Sequence, residues 1–231
     1  MTRILLLGHG RMGRLVDSLA PEFGCEIVQI ITSTGGAMAI EALDLPVDVA
    51  IDFTTPDAVL ANVIALSRRR INVVIGTTGW QSVESEMRAV VEESGIGALA
   101  ASNFSIGLHV FRRAVATAAA GFASDANVGA WIHEAHHIHK KDAPSGTALT
   151  LLAAVEQAGY DRPVDVSSTR AGAIPGTHTV GFDGPAETVT LTHTVRDRAV
   201  FARGALDVAR WLSGRRGWFT IDDFITGRHV S

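Results

Sequence analysis

The sequence predicts an α/β chain in two parts: a parallel sheet wrapped by helices, and a smaller α+β part. Three observations predict it. From the N-terminus to about residue 105, short apolar runs closed by Gly-, Ser- or Thr-rich loops alternate with stretches of helical period. The first of those runs leads at once into Gly8-His-Gly-Arg-Met-Gly13. From Ile106 onward the pattern changes to an alanine-rich helix and then to alternating strands joined by an Asp183-Gly184 hairpin signal.

Taken in order, Arg3-Ile-Leu-Leu-Leu7 reads as a buried strand, and Leu15, Val16 and Leu19 recur at helical spacing up to Pro21. Strand, G-x-G-x-x-G and helix in succession give the motif its meaning as a dinucleotide-binding turn. Gly8 permits the tight turn, Gly10 lets the backbone approach a pyrophosphate, and Gly13 allows close helix–strand packing. His9, Arg11 and Met12 lie between them, and Arg11 offers a cation to cofactor phosphates or to solvent. A second strand, 26–31, ends in Thr32-Ser-Thr34, where an acid would accept from adenosine ribose hydroxyls. Strand 48–53 follows, then Thr54-Thr-Pro-Asp57 starts a helix that ends in Arg68-Arg-Arg70, three arginines read as a solvated helix end. Strand 72–75 closes on Gly76-Thr-Thr-Gly79, a helix spans 81–94, and a strand near 97–101 leads into Ala101-Ser-Asn-Phe104. Loops at the carboxyl ends of such strands are where ligands bind in open α/β sheets.

The second part begins with a helix over about 108–121 and a strand over 128–135. A helix from Gly146 to about Gln157 follows, then the polar segment Ser167-Ser-Thr-Arg170 and turn-rich residues 172–177. Strands 178–182 and 187–195 come next. In the latter, Val189, Leu191, His193 and Val195 alternate with Thr188, Thr190, Thr192 and Thr194. One face is apolar and the other threonine-rich, free for a partner sheet or for water. A helix from about Val200 to Gly214 and Trp218–Phe224 close the chain.

Composition sets outer bounds. The chain has 231 residues, 47% apolar and 19% charged, enough for one large or two modest cores. A formal charge of −4 and a pI near 6.1 give no general pull toward nucleic acid or anionic membrane, so any basic site must be local. Cys25 is the sole cysteine, which fits a reducing cytoplasm without disulfides or cysteine metal clusters. No signal-peptide pattern opens the sequence, and no apolar run approaches the roughly 20 residues that span a bilayer.

Such a local site stands at Glu134-Ala-His-His-Ile-His-Lys-Lys-Asp-Ala-Pro-Ser-Gly-Thr-Ala148. Ser145 suits the N-cap of the helix that starts at Gly146, whose first N–H groups favour a carboxylate or phosphate. Imidazoles and ammonium groups beside an anion-binding helix start describe a site for an anionic substrate with proton donors at hand. His133, His136, His137 and His139 lack a neighbouring cysteine and a helical His-x-x-x-His register, so no metal is expected.

This stretch resembles the signature of the 4-hydroxy-tetrahydrodipicolinate (dihydrodipicolinate) reductase family, and Gly76-Thr-Thr-Gly79 and Ala101-Ser-Asn-Phe104 resemble its nicotinamide-side loops. The resemblance runs through nearly the whole chain in the family's order. It implies a Rossmann-type dinucleotide-binding domain (1–105 with 199–231) and a smaller α+β substrate and oligomerisation domain (106–198). It also implies NADPH- or NADH-dependent reduction of a cyclic imine dicarboxylate. His136 then maps to proton transfer and Lys140 to the donor at the ring nitrogen, while His137, Gly146 and Thr147 hold substrate. Gly8, His9, Gly10, Arg11, Met12, Gly13, Thr32, Gly76, Thr77, Thr78, Ala101, Ser102, Asn103 and Phe104 map to the cofactor. A homotetramer built through the second domain is the implied assembly. Thr32 departs from the acid often found there and, with Ser33 and Thr34, tips the expected choice toward NADPH. The stretch between the second strand and Asp48 is short for the family. Two other classes stay open: another nicotinamide-dependent dehydrogenase of similar build, and a nucleotide-binding sensor without catalysis.

Overall fold

The structure is a computed structural model that describes residues 1–32 and 36–227. The chain forms two compact units, Met1–Ser105 with Ala199–Ser231, and Ile106–Arg198.

In the first unit β1 (Thr2–Leu7) is followed by α1 (Arg11–Leu19), β2 (Cys25–Ile31), α2 (Gly36–Glu41), β3 (Val49–Asp52), α3 (Pro56–Arg68), β4 (Asn72–Ile75), α4 (Glu84–Ser94) and β5 (Gly97–Ala100). Ile4 to Leu7 are buried on both faces, as a central parallel strand requires. β1 pairs in parallel with β2 on one side and β3 on the other, so strand order reverses there. Local chemistry sets the helix ends. Thr55 is extended, Pro56 supplies the first helical φ, Asp57 sits in the first turn of α3 and Arg68 in its last. Gly95 ends α4 in the left-handed conformation.

In the second unit α5 (Ile106–Phe122), β6 (Gly129–His136), α6 (Gly146–Gln157), β7 (Val164–Arg170), β8 (Thr177–Asp183) and β9 (Thr188–Thr194) build a four-stranded sheet in the order β7-β6-β8-β9. β6 runs parallel to β7 and antiparallel to β8. The two helices bury Phe111, Val115, Leu151 and Val155 with Ile132, Val180 and Phe182 of the sheet. Arg162 donates to the carbonyls of Phe122 and Ala123, both at 2.9 Å, and so satisfies the end of α5.

The chain then completes the first unit with α7 (Ala199–Leu212), β10 (Gly217–Phe219) and α8 (Ile221–Gly227). β10 pairs in parallel with β5, giving six strands in the order β10-β5-β4-β3-β1-β2. Asn72 ties this return in place: its side-chain amide donates to Leu212 O (2.8 Å) and Arg215 O (3.0 Å) and accepts from Gly97 N–H at 2.7 Å.

Several expectations need correction. Residues 81–83 form a 3-10 turn, so the α-helix predicted from Gln81 starts at Glu84. The polar segment at 167–170 belongs to a strand, β7, whose alternation is hidden because one face is serine, threonine and aspartate. Arg68, Arg69 and Arg70 at the end of α3 are exposed, in line with a solvated helix end, and Arg68 also pairs with Glu41 while Arg69 donates to Leu43 O at 2.6 Å. The apolar face of β9 is only half covered, by α5 over Leu191 and His193, and Val189 remains 36% exposed.

Candidate active site

In the first unit the glycine loop joins β1 to α1 under tight steric control. Gly8 has φ +87°, and a Cβ there would lie 2.4 Å from Phe53 O. A Cβ on Gly13 would lie 2.2 Å from Gly8 O, whereas one on Gly10 would meet nothing within 4 Å. The loop is thus crowded behind and open in front, the cradle a pyrophosphate needs at a helix start. No side chain caps α1 at Gly10, which leaves its first N–H groups available.

In front of the loop lies a crevice of about 550 Å³ lined by Gly8, His9, Gly10, Thr32, Met38 and Thr54. His9 reaches Asp17 at 3.1 Å, Arg11 is exposed and Met12 half-buried at the helix start, and Thr32 is exposed past β2. Ser33 and Thr34, expected beside Thr32, lie outside the described residues.

Asp52, at the end of β3, was read only as part of a strand, yet it organises this rim. It is fully buried, and its Oδ1 accepts from Thr54 N–H (2.9 Å), Thr54 Oγ1 (2.6 Å) and Thr77 Oγ1 (3.1 Å). Its Oδ2 accepts from Asn62 at 2.9 Å, and its carbonyl takes Gly76 N–H and Thr77 N–H. A buried carboxylate is tolerable with this many donors. Thr77, Thr78, Ala101 and Ser102 line a second hollow with Trp80 and Trp218. Two of the expected cofactor residues have internal roles: Asn103 Oδ1 accepts from Ser105 N–H at 2.8 Å, and Phe104 is buried edge-on to Phe53.

In the second unit β6 delivers Glu134 and His136 to one face of the sheet, two residues apart. Parallel register sets Arg170 of β7 directly across from His136. Glu134 is fully buried and accepts from Arg170 Nη2 at Oε1 (2.6 Å) and Nη1 at Oε2 (2.9 Å), and it pairs with His136 Nδ1. Burial opposes its ionisation, but hydrogen bonds from Arg170, Ser168 and His136 outweigh that and hold its carboxyl at about 2. Burial lowers the His136 pKa; Glu134 opposes this, and the charges of Lys140 and Arg170 add to it.

His178 from β8 stands edge-on to His136 at 5.0 Å, and its Nε2 lies 3.1 Å from Ser145 Oγ. Burial, then the charge of His136, pushes His178 down to about 4, so it is neutral at pH 7. Ser145 caps α6 as expected, accepting from Ala148 N–H at 3.2 Å. Lys140 Nζ donates to both Asp142 oxygens at 2.8 Å, and the Asp142 carboxyl is held below its usual range, first by Lys140. His137 is half-buried, with its Nδ1 lacking a hydrogen-bond partner. Gly146 is exposed and Thr147 half-buried at the helix start.

Glu134, His136 and His178 bring possible ligand atoms within 4.8 Å of one another. A metal ion there would share its only carboxylate with the Arg170 guanidinium, whose charge repels it.

The description "Dihydrodipicolinate reductase, N-terminus" matches residues 2–104, and "Dihydrodipicolinate reductase, C-terminus" matches 107–225. The chain belongs to this family. Relatives named 4-hydroxy-tetrahydrodipicolinate reductase include one from Methanoculleus marisnigri, 39% identical over 93% of this chain and 95% of its own length. Another, from Christiangramia forsetii, is 32% identical over 96% and 97%. In fold, the chain is similar to a dipicolinate-bound dihydrodipicolinate reductase from a Paenisporosarcina species, with a TM-score of 0.81 at 22% identity over 95% and 97% of the two chains. A Mycobacterium smegmatis amine dehydrogenase shares the fold more loosely, with a TM-score of 0.59 at 12% identity over 96% of this chain and 95% of its own. Of the family positions, His136, Lys140 and the α6 start lie within one unit, together with two residues that sequence reading passed over, Arg170 and His178. Neither stands in the contiguous 134–148 stretch; each arrives by strand pairing.

Proposed function

We propose that this chain is a 4-hydroxy-tetrahydrodipicolinate reductase, which reduces a cyclic imine dicarboxylate to tetrahydrodipicolinate with NAD(P)H. The observation that carries the reading is the grouping of His136, Lys140 and the start of α6 in a family member. When bound, the reduced nicotinamide supplies a hydride. The glycine loop, with Gly10 open and Gly8 and Gly13 crowded, is the place for its pyrophosphate. Thr77, Thr78, Ala101 and Ser102 supply the nicotinamide side.

Lys140 holds a proton for the ring nitrogen and puts a cation where charge develops. In the free protein Asp142 occupies that ammonium, so an incoming substrate carboxylate has a ready-made anion place to take over. The Gly146 and Thr147 N–H groups, ahead of any intrahelical acceptor, hold that carboxylate with His137. His136, neutral with Nε2 bare or charged with both nitrogens protonated, exchanges the second proton. The test is turnover of the imine by the purified protein with either nicotinamide. Lys140→Ala should lower kcat by about 10²- to 10⁴-fold with cofactor affinity kept; near-normal turnover would remove Lys140 from the chemistry.

Dual cofactor use with a lean to NADPH is supported by Thr32, which carries no charge to repel a 2′-phosphate, and by Arg11 at the start of α1 as a cation, while no arginine follows Thr32 directly, so NADH stays usable. The check is kcat/KM for both cofactors, then Thr32→Glu. A strong native preference for NADH, or a glutamate variant still preferring NADPH, refutes it. A homotetramer through the second unit is supported by the exposed threonine face, where Thr177 pairs with Thr194 at 3.2 Å and Thr179 with Thr192 at 3.1 Å. Sedimentation at micromolar concentration should give four copies; a monomer ends the idea. Among the described residues no helix is long and apolar enough to cross a membrane. The reading places the enzyme in the cytoplasm, where its buried thiol Cys25 stays reduced.

A further inference from the structure

Proton transfer by His136 requires that its two ring nitrogens stay distinct, and four observations bear on how that is arranged. The first is the Glu134 carboxylate: fully buried and ionised, it is an acceptor only, so the His136 Nδ1 facing it must carry a hydrogen. The neutral imidazole is then the Nδ1–H tautomer, with its lone pair on Nε2.

The second is what holds Glu134. Arg170 grips both oxygens in the fork geometry, and Ser145 N–H donates to Oε1 at 3.2 Å. Arg170 is itself fixed by Asp142 O at 2.5 Å and Thr169 O at 2.9 Å. One pair, its carboxylate buried and its guanidinium partly exposed, therefore joins the imidazole to the cap of the anion-holding helix and to the loop that carries Lys140.

The third is the space around Nε2. A Cβ at Gly176 would stand 3.2 Å from it, so the missing side chain keeps that nitrogen approachable. The fourth is the charge around the ring. Among the described residues, Glu134 faces it from β6, Arg170 from β7, Lys140 from the following loop, and His178, neutral, from β8.

We propose that Arg170 and Glu134 are a positioning pair: the guanidinium pins the carboxylate, and the carboxylate fixes the His136 tautomer so that the proton leaves and returns only at Nε2. This rests on the reading of His136 as the proton-transfer group. Neither residue touches substrate in this role. Their charges act on the ring in opposite directions, and that separates them from a merely structural pair.

The experiment is a ¹⁵N-histidine NMR titration of the full-length protein, with the His136 signals assigned by their loss in His136→Gln, run beside the pH profile of kcat/KM. The wild type should show Nδ1 protonated and Nε2 bare above the His136 titration. Glu134→Gln removes the anion, so the His136 pKa and the limb it controls should fall by about one pH unit, with mixed tautomers. Arg170→Met removes the cation and should move both upward by a similar amount. Where the methionine variant does not fold, Arg170→Lys keeps the charge but not the fork. It should hold the pKa near wild type and lower kcat about tenfold, with KM for the cofactor unchanged.

Shifts of the same sign in Glu134→Gln and Arg170→Met, no shift in either, or an Nε2–H tautomer in the wild type overturn the proposal. Failure of the underlying reading looks different. His136→Gln would then keep the rate and the same limb, whatever the imidazole does in the spectrum.

Discussion

The buried contact between Asp52 and Asn62 lends itself to an exchange of partners. In Asp52→Asn, Oδ1 can still accept from Thr54 and Thr77, but three hydrogen bonds lose the charge on their acceptor. Its new amide also points at the Asn62 amide 2.9 Å away. Charge-assisted bonds exceed neutral ones by about 1 kcal/mol each, so the three together cost about 3 kcal/mol, while an Asn62 flip relieves the clash of the two amides. In Asn62→Asp two buried carboxylates meet, and one must take a proton. At pH 7 that costs at most about 4 kcal/mol for a carboxyl with an ordinary pKa near 4, which sets a range of about 2 to 4 kcal/mol. This variant should regain stability as pH falls, because the shared proton raises a folded-state pKa. The double exchange restores a donor facing an acceptor but not the charge at the Thr54 and Thr77 bonds, so it should cost about 3 kcal/mol instead of the at least about 5 kcal/mol that the single costs sum to, a coupling of at least about 2 kcal/mol. Urea denaturation of all four proteins at pH 7 measures it, and the affinity for reduced nicotinamide dinucleotide should follow the same order, since Asp52 holds the Thr54 and Thr77 loops. Additive single effects, with coupling under about 0.5 kcal/mol, would show that the two side chains do not act as the structure pairs them.

Two further expectations follow from the same sites. Gly13→Ala places a Cβ against Gly8 O and should weaken dinucleotide binding at least about tenfold while costing about 1 to 3 kcal/mol; fluorescence titration and thermal melting measure the two effects. The Glu134 carboxyl lies at about 2 against an ordinary 4.5, and at roughly 1.4 kcal/mol per pH unit its ionised form contributes about 3 kcal/mol above pH 4.5. Its folded-state pKa is depressed, so that contribution is lost as pH falls: about 1 kcal/mol by pH 4 and about 2 by pH 3. The stability gap between wild type and Glu134→Gln should narrow accordingly in denaturation curves at pH 6, 4 and 3, and a constant gap would contradict the pairing.

What could be read from the sequence was what depends on neighbours in the chain. The Gly8–Gly13 turn, the Ser145 cap and the grouping of His136 with Lys140 are each set within a few residues, so their patterns survive in one dimension. Arg170 and His178 enter the site only through the register of β7 and β8 on β6, and a polar strand such as β7 has no apolar period to announce it. Asp52 was hidden differently: its strand was evident, but a single acid at a strand end does not tell that Thr54, Asn62 and Thr77 will converge on it. The helix α2 escaped notice because six residues, two of them Gly36 and Met38, carry almost no periodic signal.

The pairing of β10 with β5 has a consequence for the order in which this molecule can be made. Until the ribosome has added Gly217–Phe219, β5 offers an open edge of Gly97, Ala98 and Leu99 whose own neighbour β4 covers only one side. The whole of Ile106–Arg198 emerges first, and with its local sheet and helices it can fold while that edge still waits. A nascent chain stalled anywhere in between carries an unpaired parallel strand, the kind of edge that templates association with another chain.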